Sequence, residues 1–293
     1  MKILAIGDFH GKFPAKLKKI ARGNDINLIV SVGDYAGIDR WKPYIIKRFK
    51  LFKQGKPLPT LEEFFGKKGV RDLWRDDFLA GQKMLIELDK IGKPVIAIFG
   101  NGDDEWYKYP FDKDVDLVKE KTVKVLKKLQ NFKIITYGTM VFQNIGFLGF
   151  GGYMDIDAHF EEDQIHLNEG AFIARKTRRE KSRKKLYTNL KKISSMANKI
   201  FVFHYPPLGF FDIIHDVKDN VMNGKSAGIN FFREAISEQK PSLALCGHMH
   251  EYQGMKKLGK TTIVNPGAAH DGKCAIIDFD EKKGKVKKVE FIK

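Results

Sequence analysis

The chain has 293 residues, of which 43% are hydrophobic and 30% charged, a composition that excludes a mostly disordered chain and allows a sizeable core without staples. Lys plus Arg number 53 against 36 Asp plus Glu, a formal net charge of +17 that points either to anionic partners, nucleic acid foremost, or to the charge-rich composition of heat-adapted proteins. Only two cysteines occur, Cys246 and Cys274, so a disulfide scaffold is excluded, and no apolar run reaches the ~18 residues of a membrane span, so no membrane partner is expected.

In chain order, Lys2–Ile6 reads as a buried strand ending at Gly7-Asp8; it is too short for the apolar core of a signal peptide, and a cytoplasmic protein is expected. Pro14–Ala21 has a helical pattern, and Leu28–Val32 is a second strand ending at Gly33-Asp34. Residues 35–76 read as an insertion with its own short helices. Its aromatics Trp41, Tyr44, Phe49, Phe52, Phe64, Phe65 and Trp74 are expected to form a small core, with stacking on nucleic-acid bases as the alternative. A helix follows at Phe78–Ile91, then a strand at Val95–Phe99 ending at Gly100-Asn101. A helical segment over about 169–197 carries Arg175 to Lys192, with ten Lys/Arg against the single Glu180, a local balance of +9. It is either a solvated face or a rim that recruits a polyanion, nucleic acid or nucleotide, by counterion release. Ile200–Phe203 ends at His204, Phe231–Ser237 is helical, and Leu243–Leu245 ends at Cys246-Gly247-His248. The remaining strands are Gly254–Leu258, Thr261–Val264, Cys274–Asp278 and Val286–Phe291, the first two joined by a turn at Gly259-Lys260. Buried strands alternating with helices, followed by hairpins, predict a single α/β domain over residues 1–293 whose core is a mixed or two-layer sheet.

The polar residues at these strand ends carry the chemistry. Asp8, His10, Asp34, Asn101, His204, His248 and His250 stand where open α/β sheets place their sites. Asp8/His10 and His248/His250 have i, i+2 spacing, which on extended chain points both side chains the same way. Two carboxylates, one amide oxygen and four imidazoles form a mixed N/O donor set suited to Mn, Fe, Zn, Co or Ni rather than to Ca or Mg, and seven donors exceed one tetrahedral ion but serve two that share a carboxylate. His215 is read as a pocket residue, and His159, His166 and His270 as ordinary polar positions without ligand spacing.

Asp8-Phe9-His10, Gly33-Asp34, Gly100-Asn101-Gly102-Asp103, His204-Tyr205-Pro206-Pro207 and Gly247-His248-Met249-His250, with the later turn Asn265-Pro266-Gly267, resemble in order the motifs of the calcineurin-like metallophosphoesterase family. The surroundings of Pro206-Pro207 and Glu251 look most like its small bacterial and archaeal members related to cyclic-nucleotide phosphodiesterases. The resemblance implies a two-layer mixed β-sandwich flanked by α-helices and a dinuclear centre. Metal one would take Asp8, His10, Asp34 and His250; metal two would take Asp34, Asn101, His204 and His248. Asp34 would bridge, manganese being the favoured metal. It further implies hydrolysis of a phosphate ester by a hydroxide bridging the two ions. Many members carry His where this chain has Gly102, and that His contacts the substrate phosphate and assists the leaving group. Its absence turns the expectation toward a phosphodiesterase, with a phosphomonoesterase or protein phosphatase as the alternative, and a nucleic-acid-binding or scaffold protein on the same fold as the non-enzymatic one. Asp103 is a candidate for the missing acid or for orienting Asn101, so Asp34, Asn101 and Asp103 are the expected catalytic residues.

Overall fold

A computed structural model describes residues 1–37, 39–103, 125–157, 160, 169–215 and 220–293. Two six-stranded mixed sheets face one another. The first has the order β12(Lys285–Ile292), β11(Cys274–Asp280), β1(Lys2–Ile6), β2(Leu28–Ser31), β3(Val95–Ala97), β4(Phe132–Ile134). The second has the order β5(Gly138–Phe142), β6(Ile145–Phe150), β7(Asn198–Phe203), β8(Leu243–Leu245), β10(Thr261–Asn265), β9(Gly254–Leu258). β1 to β4 run parallel in the first sheet and β6, β7, β8 and β10 in the second; β11 and β12 add antiparallel at one edge of the first, and β5 and β9 antiparallel at the two edges of the second.

The near-continuous apolar runs follow from burial on both faces. In β1, Ile3 and Ala5 face the opposite sheet, while Leu4 and Ile6 face outward against the helices α1(Ala15–Ala21) and α3(Leu61–Asp89). In β7, Ile200 and Val202 point between the sheets, while Phe201 and Phe203 pack with α4(Glu169–Lys192) and α5(Asn230–Gln239). The result is four layers, helix–sheet–sheet–helix, and the C-terminal ends of all the central parallel strands lie at one edge of the sandwich.

At that edge the sheets approach so closely that side chains are excluded. A Cβ on Gly149 would fall 2.4 Å from the Ile135 carbonyl oxygen, and one on Gly151 would fall 2.0 Å from that of Phe99. The Gly152 amide donates to the same Phe99 carbonyl at 2.8 Å, so the segment leading into Gly100-Asn101 is tied across the interface.

Some elements differ from the sequence reading. The strands β4, β5 and β6 lie in a stretch to which the sequence reading assigns no element. The expected helix over 78–91 begins instead at Leu61, capped by Thr60 and Glu63, and passes through a non-helical Gly66 at φ 71°. The inserted chain therefore holds α2(Lys42–Lys53) and the first turns of a long helix that runs on past residue 76 into the core. Its aromatics pack on one another: Trp41 against Trp74 at 5.0 Å and Tyr44 against Phe64 at 5.5 Å between ring centres. No helix among the described residues is long and apolar enough to cross a membrane.

The Trp41 indole N–H donates to Asp77, a carboxylate buried on α3. Burial pushes the Asp77 carboxyl up to about 7, against the Trp41 hydrogen bond and the charge of Arg40. A folded-state value above the unfolded one means the folded chain holds the extra proton. Its contribution is complete below pH ~4 and is lost as pH rises through 7, with a magnitude of about 4 kcal/mol. Asp77→Asn keeps an acceptor for Trp41 and removes the ionisation. Urea unfolding should find it about as stable as wild type at pH 4.5 and more stable at pH 8.

Candidate metal centre

Each predicted ligand sits just past the C-terminal end of a parallel strand: Asp8 and His10 after β1, Asp34 after β2, Asn101 after β3, His204 after β7, and His248 and His250 after β8. The chain does not continue as strand there. Asp8, His10, Asp34 and His248 have φ of 53°, 44°, 56° and 68°, left-handed values that non-glycine residues seldom adopt. The i, i+2 pairs thus converge through tight turns, not through the alternation of an extended segment. Strain of this kind costs about 1–3 kcal/mol per residue and persists only where surrounding contacts over-determine it.

Asp103 supplies those contacts for the Asp34 turn. It is fully buried, and its two carboxylate oxygens accept from the amides of Asp34 at 2.8 Å, Tyr35 at 2.9 Å, Ala36 at 3.1 Å and Gly100 at 2.8 Å. Burial and the adjacent Asp34 carboxylate raise its carboxyl above the usual range, opposed by the amides of Gly100, Ala36 and Tyr35. With both oxygens occupied by backbone donors, its geometry is that of a clamp joining the ends of β2 and β3.

The seven side chains fall into two sets that meet at Asp34. Asp8, His10, Asp34 and His250 each place a donor atom within 4.8 Å of the others, and so do Asp34, His204 and His248. Asp34 Oδ2 stands 3.7 Å from His10 Nε2 in one set and 3.5 Å from His204 Nε2 in the other, a bridging position. Its Oδ1 accepts from the Gly102 amide at 2.9 Å. Asn101 Oδ1 joins the second set at 2.8 Å from both His204 Nε2 and His248 Nδ1. In the first, His10 Nε2 and His250 Nε2 are 2.9 Å apart and Asp8 Oδ1 is 3.6 Å from His250 Nε2.

The donors fit divalent ions. The Val32 carbonyl accepts from His204 Nδ1 at 2.8 Å, so the neutral ring keeps its lone pair on Nε2 and sets it against the Asn101 oxygen. A cation between them relieves that opposition, and a backbone-bound second nitrogen is how ligating imidazoles are commonly aimed. Burial pushes His10 down to about 4, against the carboxylates of Asp34 and Asp8. Burial also lowers His248, assisted by His204 and His250. Both rings are therefore neutral near pH 7, the form that binds a metal. Burial opposes ionisation of Asp8, but the His250 hydrogen bond and the surrounding imidazoles hold its carboxyl well below the usual range. The Asp8 carboxylate also accepts from the His248 amide at 3.1 Å, and the Tyr205 ring lies 4.0 Å from the His248 ring, which fixes that imidazole from behind.

The structure adds one residue to the cluster. His270, read from the sequence as an ordinary polar position, lies beside His10 and His250, with ring centres 5.2 Å from each. It follows β10 as the other ligands follow their strands; the signal available was that strand end, the Asn265-Pro266-Gly267 turn. His215 is exposed and donates its amide to Glu251 at 3.0 Å, while His159 and His166 lie outside the described residues.

Replacing Asp103 by Asn leaves one acceptor oxygen and turns an amide NH2 against backbone donors. Asp103→Asn should lose about 2–4 kcal/mol of stability and weaken divalent-ion uptake, as read by urea unfolding and by calorimetric titration of the metal.

Comparison with known proteins agrees with this geometry. A profile described as metallophosphoesterase, calcineurin superfamily, matches residues 1–289. The uncharacterized protein MJ1162 of Methanocaldococcus jannaschii is 25% identical over 171 residues, 56% of this chain and 69% of that one. One solved structure superposes with a TM-score of 0.62 at 19% identity over 99% of this chain and 98% of the other. TT1561 of Thermus thermophilus superposes with a TM-score of 0.55 at 15% identity over 99% and 97%. These two likenesses concern the fold. With the profile spanning nearly its whole length, the chain belongs to the calcineurin superfamily of metallophosphoesterases.

Proposed function

We propose that this protein is a phosphodiesterase working at a two-ion centre, manganese being the preferred metal. The observation that carries this is the junction of the two donor sets at Asp34, combined with the absence of a side chain at Gly102. Divalent ions held there would supply a water of lowered pKa as nucleophile and positive charge toward the phosphoryl oxygens. Asp34, whose Oδ2 faces both donor sets, would hold both ions, and the Gly102 amide pins its other oxygen. Asn101 closes the second set, and His248 is held in place by Tyr205. Asp103 serves the reaction by holding the Asp34 turn.

At position 102 only a backbone amide faces the site. A monoester carries one more ionisable oxygen than a diester and depends more on an added donor there. A positioned acid is typically worth 10²–10⁴-fold in rate. A Cβ at Gly102 would meet Asp34 Oδ1 at 3.5 Å and Ala36 Cβ at 3.9 Å, ordinary contacts, so the position accepts a side chain. With matched aryl monoester and diester substrates and equal manganese loading, wild type should prefer the diester in kcat/KM. Gly102→His should raise monoester turnover more than diester turnover, and Asp34→Asn should lose metal and activity together. A wild type that prefers the monoester would overturn the diesterase reading while leaving the family intact.

The helix α4 supports a polyanionic substrate, nucleic acid in the first place. Its charges are sorted along its length. Arg175 and Arg178 reach the buried Asp155 at 3.4 and 3.1 Å, and Arg179 pairs with Asp157. Further on, Lys181, Lys184, Lys185 and Lys192 line one groove of about 390 Å³ with Tyr137 and no carboxylate, and Lys185 Nζ sits 4.0 Å from the centre of the Tyr137 ring. Tyr137 precedes β5, whose first residue pairs with Gly149, and its ring touches that of Phe150 at 4.9 Å. The Phe150 carbonyl accepts the His204 amide at 3.1 Å. Tyr137, one wall of the groove, therefore sits beside β5, two strands from the His204 strand, at a lateral spacing of roughly 10 Å. If four lysines meet phosphates, the log affinity for single strands falls with log salt at a slope of roughly −3. Changing these lysines to Gln should flatten that slope in a filter-binding or fluorescence titration and leave turnover of a small aryl diester unchanged. An unchanged slope would make this a solvated helix face.

A further inference from the structure

We propose that His270 is a fifth protein ligand of the ion held by Asp8, His10, Asp34 and His250. The inference rests on the two-ion reading and concerns a residue outside the seven that the motifs mark.

The rings of His10, His250 and His270 form a nearly regular triangle, with centres 4.7, 5.2 and 5.2 Å apart and mutual tilts of 63–78°. Three imidazoles around one ion at ~2.1 Å, with ring centres a further ~1.1 Å out, stand roughly 4.5 Å apart at right angles and roughly 5.2 Å apart at the tetrahedral angle. The pair of the second set, His204 and His248, has the same 5.2 Å spacing and a tilt of 70°. A nitrogen of each of the three rings lies within 4.8 Å of the others.

The hydrogen bonding of His270 repeats that of His204. Its Nδ1 donates to the Asp8 carbonyl at 2.9 Å, so the neutral ring carries its lone pair on Nε2, as His204 does through the Val32 carbonyl. The backbone is stitched to the same loop. Within the single 3₁₀ turn Ala269–Asp271, the Ala269 amide donates to the Gly7 carbonyl at 2.8 Å and the His270 amide to the Asp8 carbonyl at 3.3 Å. Asp271 Oδ1 also faces Nε2, at 3.4 Å, but Asp271 is half exposed and is engaged by Lys273 Nζ at 3.2 Å. The His270 and His250 side chains are 20% and 30% exposed, against 1% and 4% for Asp8 and Asp34. His270 therefore closes the first set on its solvent side, opposite the buried carboxylates. With His270 the first set would offer five donors against the four of Asp34, Asn101, His204 and His248, so it would be expected to bind an ion first.

The test is metal binding, independent of any substrate. Apo protein is given one equivalent of Zn²⁺ and examined by X-ray absorption, then titrated calorimetrically to saturation. Wild type should show three imidazoles around the first ion and a tight step followed by a weaker one. His270→Ala should show two imidazoles and a tight step weakened at least tenfold, with the second step retained. His270→Gln keeps a side-chain donor for the Asp8 carbonyl, and hence the turn, and should behave as His270→Ala does. Two imidazoles in wild type, or an unchanged first step in both variants, overturns the proposal and leaves the two-ion reading standing. Recovery of the tight step in His270→Gln overturns it in favour of a role in the turn alone. Failure of wild type to take up any ion overturns both.

Discussion

The carboxylate of Asp34 is the constraint on which the site depends. One oxygen stands between two imidazole-bearing donor sets and the other is held by the Gly102 amide. A buried carboxylate in that position is tolerable only if cations and donors surround it, and its backbone adopts a left-handed conformation that an aspartate does not choose by itself. Asp103 stabilises that conformation by accepting four amides of the turns after β2 and β3. The chemistry at Asp34 and the packing beneath it are thus one structure.

The sandwich supplies what Asp34 cannot. Parallel strands buried on both faces are stiff, and their ends lie at fixed lateral spacings. Side chains drawn from the ends of five strands, three in one sheet and two in the other, therefore meet with little freedom. Glycines carry the close approaches. Gly33 has φ 101° with no room for a Cβ beside Gly100, and a Cβ on Gly100 would strike Asp34 at 2.0 Å. The donors are spread across both sheets, so the site exists only when the two halves are docked.

The excess positive charge has no single role. Part of it is consumed locally, the arginines of the first half of α4 by Asp155 and Asp157 and Arg183 by Glu234. Lys181, Lys184, Lys185 and Lys192 of its second half line one groove with Tyr137. A net charge of +17 is therefore distributed between internal ion pairs and an open surface, a distinction that composition does not carry.

The sequence by itself determined the order of buried strands and helices, and the seven candidate positions stood out because each is a polar residue at the end of an apolar run, five of them beside a glycine. Regular burial writes itself as pattern, and a strand end is where the pattern breaks. The strands β4 to β6 were not legible, because Gly146 and Gly149 are dictated by neighbours distant in sequence: Ile193 and Met196 at the one, Ile98 and Ile135 at the other. The extent of α3 was hidden by Gly66, which interrupts the helical geometry without ending the element. Asp103 reads locally as part of a Gly-Asn-Gly-Asp run, but three of its four amide partners lie about seventy residues earlier in the chain. His270 stands 262 residues from the Asp8 carbonyl that orients it, with no partner at i+2 to mark it. Only the tertiary structure decided these, because a hydrogen bond or a close approach between distant segments leaves no periodic trace along the chain.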